Sequence, residues 1–88
     1  MPSPTRKLDG AAVTAWVRTH LADFLDLPED TVTEDAEFAA LGLDSADSVI
    51  ICGAFEEAFD VELDATLFLR NPNIASLIED LRGTGVVA

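Results

Sequence analysis

Few residues in this chain are equipped for chemistry: one histidine, His20, one cysteine, Cys52, and scattered hydroxyls stand among seventeen acids. His20 precedes Leu21 in an apolar-periodic stretch, and nothing in the sequence ties it to a nucleophile, so it reads as a surface side chain. Cys52 falls within an apolar run and reads as a small buried hydrophobe. One Cys and one His make no zinc set, and no metal site is expected. The acidic stretch from Asp26 to Glu37 has the length of an EF-hand loop. It places Pro28 at the third ligand position and Thr31 where the turn demands glycine, so its acids read as a solvated loop face.

Ser45 is different. It stands in Leu41-Gly42-Leu43-Asp44-Ser45-Ala46-Asp47-Ser48-Val49, at the expected start of a helix. The flanking glycines of a G-x-S-x-G elbow are absent and no strand precedes it, which argues against a hydrolytic nucleophile. No catalytic residue is expected. A hydroxyl at the first helical position could cap a free backbone N–H for about 1 kcal/mol. The same position, at the positive end of the helix dipole, also suits a phosphodiester. Gly42 permits a close approach to the helix, Leu43 anchors the loop end, and Asp44 presents an acid immediately before the hydroxyl.

The elements that must position this serine are helical. Asp9 is the expected N-cap of a first helix running to about Asp26, with Val13, Val17, Leu21 and Phe24 in register and Trp16 and Leu25 widening the stripe. Leu27-Pro28 stops it. A second helix should run from Ser45 to about Phe59, with Ile51, Phe55 and Phe59 facing inward. Asp60 breaks it, and Asp64 caps a short helical turn in Ala65 to Arg70. Asn71-Pro72 reads as cap and first residue of a last helix, whose Ile74, Leu77, Ile78 and Leu81 face inward until Gly83. Roughly seventeen residues without a clear period separate the first two helices, a length that in a compact domain signals function. Val32, Phe38, Leu41 and Leu43 can pin that loop to the core while Glu29, Asp30, Glu34, Asp35 and Glu37 stay wet. The expected fold is all-α: a small four-helix bundle, three main helices and one short one, with a long first loop. Its domain spans 8–83, between a flexible tail at 1–7 and a glycine-punctuated tail at 84–88.

With 88 residues the chain has room for one modest core. Its net charge of −12, with no Lys or Arg between Arg18 and Arg70, disfavours nucleic acid and anionic lipid and favours partners with basic patches. No membrane span or signal peptide is visible, and a reducing, cytoplasmic setting is expected.

The stretch from Phe38 to Leu63, with the later Arg70 to Leu81, resembles the acyl carrier protein family and its peptidyl relatives over about residues 10 to 82. The resemblance implies that Ser45 takes a 4′-phosphopantetheine arm from coenzyme A, with Gly42, Leu43 and Asp44 as its approach. The implied protein is a non-catalytic monomer, a substrate of a phosphopantetheinyl transferase. Its arm is loaded by an acyltransferase or an acyl-activating ligase and serves a ketosynthase or other enzymes of polyketide or fatty-acid biosynthesis. Gly-Leu-Asp-Ser sits closer to acyl carriers than to peptidyl or aryl carriers. The alternative from another class is an unmodified acidic interaction module. The family usually has leucine after the serine, where this chain has Ala46. Glu56 and Glu57 mark the wet face of the second helix, and steps of three and four back along it reach Gly53, Val49, Ile50 and Ala46. With Asp47, these residues form an expected partner surface, apolar at its centre and bordered by acids. Met1 and the short ends point to a discrete protein rather than an excised piece of a synthase.

Overall fold

A computed structural model describes residues 7–88, and its regular elements are all helical. They are α1 (Gly10–Leu25), a 3-10 turn (Glu29–Thr31), α2 (Phe38–Leu41), α3 (Ser45–Phe59), α4 (Leu67–Arg70) and α5 (Ile74–Gly83). The all-α bundle of three main helices is as expected. The long first loop, however, contains the 3-10 turn and α2, pieces too short to carry a hydrophobic period.

Asp9 caps α1, accepting from the Ala11 N–H at 3.2 Å, and Asp26 closes it in the left-handed conformation at φ 57°. Val13, Val17 and Leu21 are fully buried, but Phe24 is 40% exposed. Ala22 takes the last core position instead, because the chain reverses at once and the Leu27 N–H returns to the Ala22 carbonyl at 2.8 Å. The following loop is held at several points. Arg18 Nε donates to the Val32 carbonyl at 2.8 Å, while Val32, Phe38 and Leu43 are buried and Leu41 is half-buried. The Phe38 N–H donates to the Pro72 carbonyl, and the Ala75 N–H to the Glu34 carbonyl, lashing the loop to the start of α5.

Ile51 and Phe55 of α3 are buried in the core, whereas Phe59 is only half-buried at its edge. Trp16 closes the seam between α1 and α3, edge-on to Phe55 and Phe59 at 5.3 and 5.8 Å, with His20 stacked on it at 4.2 Å. Asp60 ends α3 at φ 53°, a left-handed conformation that a short polar side chain tolerates.

The start of α5 differs from expectation. Asn73, not Asn71, is the cap and accepts from the Ser76 N–H at 2.8 Å, so Pro72 lies outside the helix. Asn71 is buried and joins α4 to α5: its amide donates to the Leu67 carbonyl and to Asp80, and its oxygen accepts from Ser76 Oγ. Arg70 adds a paired contact to Asp80 and a 3.2 Å ion pair to Asp64. These bonds hold Asp64 and Asp80 below the usual carboxylate range, Asp64 mainly through Thr66 and Asp80 mainly through Arg70. Ile74, Leu77, Ile78 and Leu81 are buried as expected.

Residues 84–88 are not a tail. Val87 is fully buried and pairs in parallel with Leu8, whose N–H donates to the Val86 carbonyl and whose carbonyl accepts from the Ala88 N–H. Gly10 makes room for it, since a Cβ there would meet Val87 Cγ1 at 3.3 Å. The structured unit therefore continues past Gly83. Of the expected N-terminal tail, residues 1–6 lie outside the described residues. No described helix is long and apolar enough to cross a membrane.

Candidate functional site

Ser45 opens α3, but Asp44 caps it. The Asp44 carboxylate accepts from the Asp47 N–H at 2.8 Å, and the Asp47 carboxylate reaches back to the Asp44 N–H at 3.5 Å, completing a capping box. The Ser45 hydroxyl, read from sequence as a possible cap, is thereby unspent: it is exposed and has no hydrogen-bond partner among the described residues. Capping by Asp44 leaves the Ser45 and Ala46 N–H groups without an acceptor among the described residues, as the first turn of a helix requires. Ala46, small and exposed, does not crowd the hydroxyl. An unbonded hydroxyl and two open donors therefore share one helix end.

The approach is built for presentation. Gly42 ends α2 at φ 99°, a conformation that favours glycine, and a Cβ there would meet nothing within 4 Å. It is therefore demanded by backbone conformation and not, as the sequence suggested, by a tight approach. Leu43 is buried and ties the loop end to the core, and its N–H donates to the Phe38 carbonyl. Ser48, one turn into α3, is buried and its hydroxyl returns to the Asp44 carbonyl at 2.9 Å. A cleft of about 300 Å³ opens beside Ser45, walled by Phe38, Leu43, Phe68, Leu69 and Pro72. Sequence reasoning missed this cleft, because α2, α4 and the turn before α5 form it together from distant positions.

On the outer face of α3, Val49 and Ile50 are 50% and 56% exposed, and Ala46, Gly53 and Glu57 are exposed with them. Glu56 is not part of that free face: its carboxylate accepts from the Leu63 N–H at 2.7 Å and closes the connection to α4. Asp47 is likewise half-buried and committed to the capping box. Leu69 of α4, absent from the sequence reading, adds a further half-exposed apolar side chain.

Cys52 offers no competing thiol chemistry. It is buried, its Sγ lies 3.4 Å from the Asp64 carbonyl, and burial, with Glu56 and Asp64 nearby, pushes the thiol up. Among the described residues no three His, Cys, Asp or Glu side chains converge as a metal set.

An exposed serine hydroxyl at a helix start, flanked by open N–H groups and a cleft, fits a phosphodiester-linked prosthetic arm. Residues 15–81 match the family model described as the phosphopantetheine attachment site. The chain is 38% identical over 71 residues to the acyl carrier protein of Akkermansia muciniphila, covering 76% of this chain and 89% of that protein. It is 30% identical over 71 residues to the non-reducing polyketide synthase albA of Aspergillus niger, covering 81% of this chain but only 3% of the synthase's length. Among solved structures, a free-standing peptidyl carrier protein from an uncharacterised Acinetobacter baumannii secondary metabolic pathway superposes with a TM-score of 0.75 at 32% identity, covering 86% of this chain and 95% of that one. The HMG-ACPI domain of the CurA module from Lyngbya majuscula, at 22% identity and a TM-score of 0.76 over 98% of this chain and 87% of that one, shares the fold. The chain belongs to the acyl carrier protein family, whose domains bear a phosphopantetheine attachment site. Its cofactor is a covalently attached 4′-phosphopantetheine.

Proposed function

We propose that Ser45 is the attachment residue and that the domain is a non-catalytic acyl carrier of polyketide or fatty-acid-type biosynthesis. The observation that carries the attachment reading is the division of labour at the start of α3: Asp44 caps the helix and leaves the Ser45 hydroxyl exposed and unbonded among the described residues. In the attachment step Ser45 Oγ loses its proton and bonds to a phosphorus of coenzyme A, as the pyrophosphate P–O bond breaks and the nucleotide leaves. A phosphopantetheinyl transferase supplies the catalysis. The Ser45 and Ala46 N–H groups, left open by the Asp44 cap, would be the donors for the phosphate that results, while the Asp44 carboxylate stays engaged at the Asp47 N–H. When bound, the arm's terminal thiol holds the cargo as a thioester. The helical body supplies the address: Ala46, Val49, Ile50 and Gly53, bordered by Glu57, form the surface that loading enzymes and a ketosynthase read.

The Gly42-Leu43-Asp44-Ser45 approach, the likeness to an acyl carrier protein and the likeness to polyketide synthases support acyl over peptidyl cargo. The likeness to a peptidyl carrier structure favours the second reading, an aminoacyl cargo loaded by an adenylating ligase. Incubation with coenzyme A, Mg²⁺ and a phosphopantetheinyl transferase should add one phosphopantetheine, mapped to Ser45 by peptide mass, and Ser45→Ala should take none. Labelling of the Ala variant, or none of the wild type, overturns the assignment of Ser45. Preferential loading by an amino-acid-activating ligase over an acyltransferase overturns the acyl reading alone.

A further inference from the structure

A second cleft, of about 510 Å³, lies between α1 and α5 and shares no lining residue with the cleft beside Ser45. Ala11 and Ala15 of α1 and Ile78 of α5 give it a wall of small and apolar side chains. In a chain with seventeen acids, α1 brings none to this wall: no Asp or Glu occurs between Asp9 and Asp23, and Arg18 carries the formal charge of that stretch. Arg18 stands at one end of the cleft, half-buried, with Nε and Nη2 donating to the Val32 and Glu29 carbonyls at 2.8 and 3.5 Å. The guanidinium is thereby held in place, yet it forms no ion pair among the described residues and its Nη1 is left over. One turn back on the same face, the Thr14 hydroxyl has no hydrogen-bond partner among the described residues. At the other end Arg82 gives Nε to the Ala88 carbonyl and Nη1 to Glu79, while its Nη2 lies 3.6 Å from where a Gly10 Cβ would stand. Acceptors are fewer. The Asp9 carboxylate is engaged at the Ala11 N–H, and the exposed Glu34 side chain remains uncommitted at the rim.

We infer that this cleft docks an acidic segment of a partner polypeptide in extended form, with one carboxylate on Arg18 and Thr14 and a second on Arg82. The inference is independent of which residue bears the arm. Charge complementarity selects the acidic partner, since the donors left over at the two ends match carboxylates and the wall between them adds no repelling acid. Spacing selects the form: Gly10, beside Arg82, and Arg18 are about 12 Å apart along α1. In an extended chain, side chains four residues apart share a face and stand about 13 Å apart. Glu34 selects polypeptide over a free dicarboxylate, because a backbone offers N–H groups to it where a bare dianion would only be repelled. A partner held there leaves the start of α3 uncovered, so one protein can stay bound while others visit the serine end.

The test is a ¹H–¹⁵N NMR titration of the full chain with a capped peptide, Gly-Glu-Ala-Val-Ala-Glu-Gly, against the same peptide with glutamine for both glutamates and against suberate. Expected are saturable shift changes at 9–18, 34, 78 and 82 with the glutamate peptide and none with the glutamine one. Arg18→Gln should weaken binding about tenfold, as loss of a charge-assisted contact implies. Because Arg18 also pins the loop, Ala15→Glu is the second variant: Ala15 is exposed, so the urea midpoint should stay at the wild-type value while the added acid abolishes binding. Equal binding of both peptides, changes confined to other surfaces, or full affinity in Ala15→Glu overturns the docking site. Suberate binding as tightly as the glutamate peptide overturns a polypeptide as its occupant.

Discussion

Replacing Asp44 and Ser45 one at a time should separate the residue that holds α3 together from the residue that carries the arm. Asp44→Ala removes the 2.8 Å bond to the Asp47 N–H and the reciprocal contact, so it should cost about 1 kcal/mol, within a range of about 0.5–2. For a domain of this size each kcal/mol shifts the melting temperature by about 4–8 °C. Ser45→Ala loses no bond to the described residues and gains a better helix former, so its change should stay within about 0.5 kcal/mol. Charge complicates the first variant, because removing one acid from a chain of net charge −12 relieves repulsion. Asp44→Asn is the control: it removes the same charge and keeps a side-chain oxygen able to cap, so the difference between the Ala and Asn variants isolates the bond. Urea titrations of all three, followed by circular dichroism with a shared m-value, give the comparison. The reasoning is refuted if Ser45→Ala is destabilised as much as Asp44→Ala, for the serine hydroxyl would then be the working cap.

Three other expectations concern the body of the domain. Phe55→Ala should cost about 3–5 kcal/mol, Phe59→Ala clearly less because that ring is half-buried, and Ile50→Glu no more than about 0.5; chemical denaturation midpoints rank them. Deleting residues 86–88 should cost about 1.5–3 kcal/mol for Val87 alone, and a truncation with a wild-type midpoint would contradict its burial. Asp64 and Asp80 are held below their unfolded values, so the stability they contribute is complete above about pH 4 and lost as pH falls through their folded values. Asp80→Asn should start less stable at pH 7 and lose less between pH 4 and 2, as thermal melts across that range would show.

What could be read from sequence was local. Asp9 and Asp26 bracket α1 because cap and break are written within a turn of the helix they serve, and Val13, Val17 and Leu21 repeat on one face. Ser45, Asp44 and Leu43 could be singled out as candidates for the same reason, all within one loop-to-helix junction. The misses were non-local. Two asparagines flank Pro72, and only the packing of α4 on α5 decides that Asn71 bridges while Asn73 caps. Val87 sits in a short glycine-rich segment with no period, and its burial depends on Leu8 and Gly10 at the far end of the chain. Glu56 looked like part of a wet face because its partner, the Leu63 N–H, lies beyond the break at Asp60. The cleft beside Ser45 gathers α2, α4 and Pro72, which no sequence window contains together.

The parallel pairing of Leu8 with Val87 has a mechanical consequence. Pulling backward on the chain before Leu8 and forward on the chain after Val87 drives the two paired segments past each other along their length. The bonds Leu8 N–H to Val86 and Ala88 N–H to Leu8 are then loaded together, in shear, instead of being peeled open one after another. Tension of that kind enters and leaves at a single pole of the bundle. That pole adjoins the end of α5, whereas Pro72 and the Ser45 cleft lie at its start, a helix length of about 15 Å away. A domain loaded through its ends would bear force on the Leu8–Val87 clasp, at the far end of α5 from the serine.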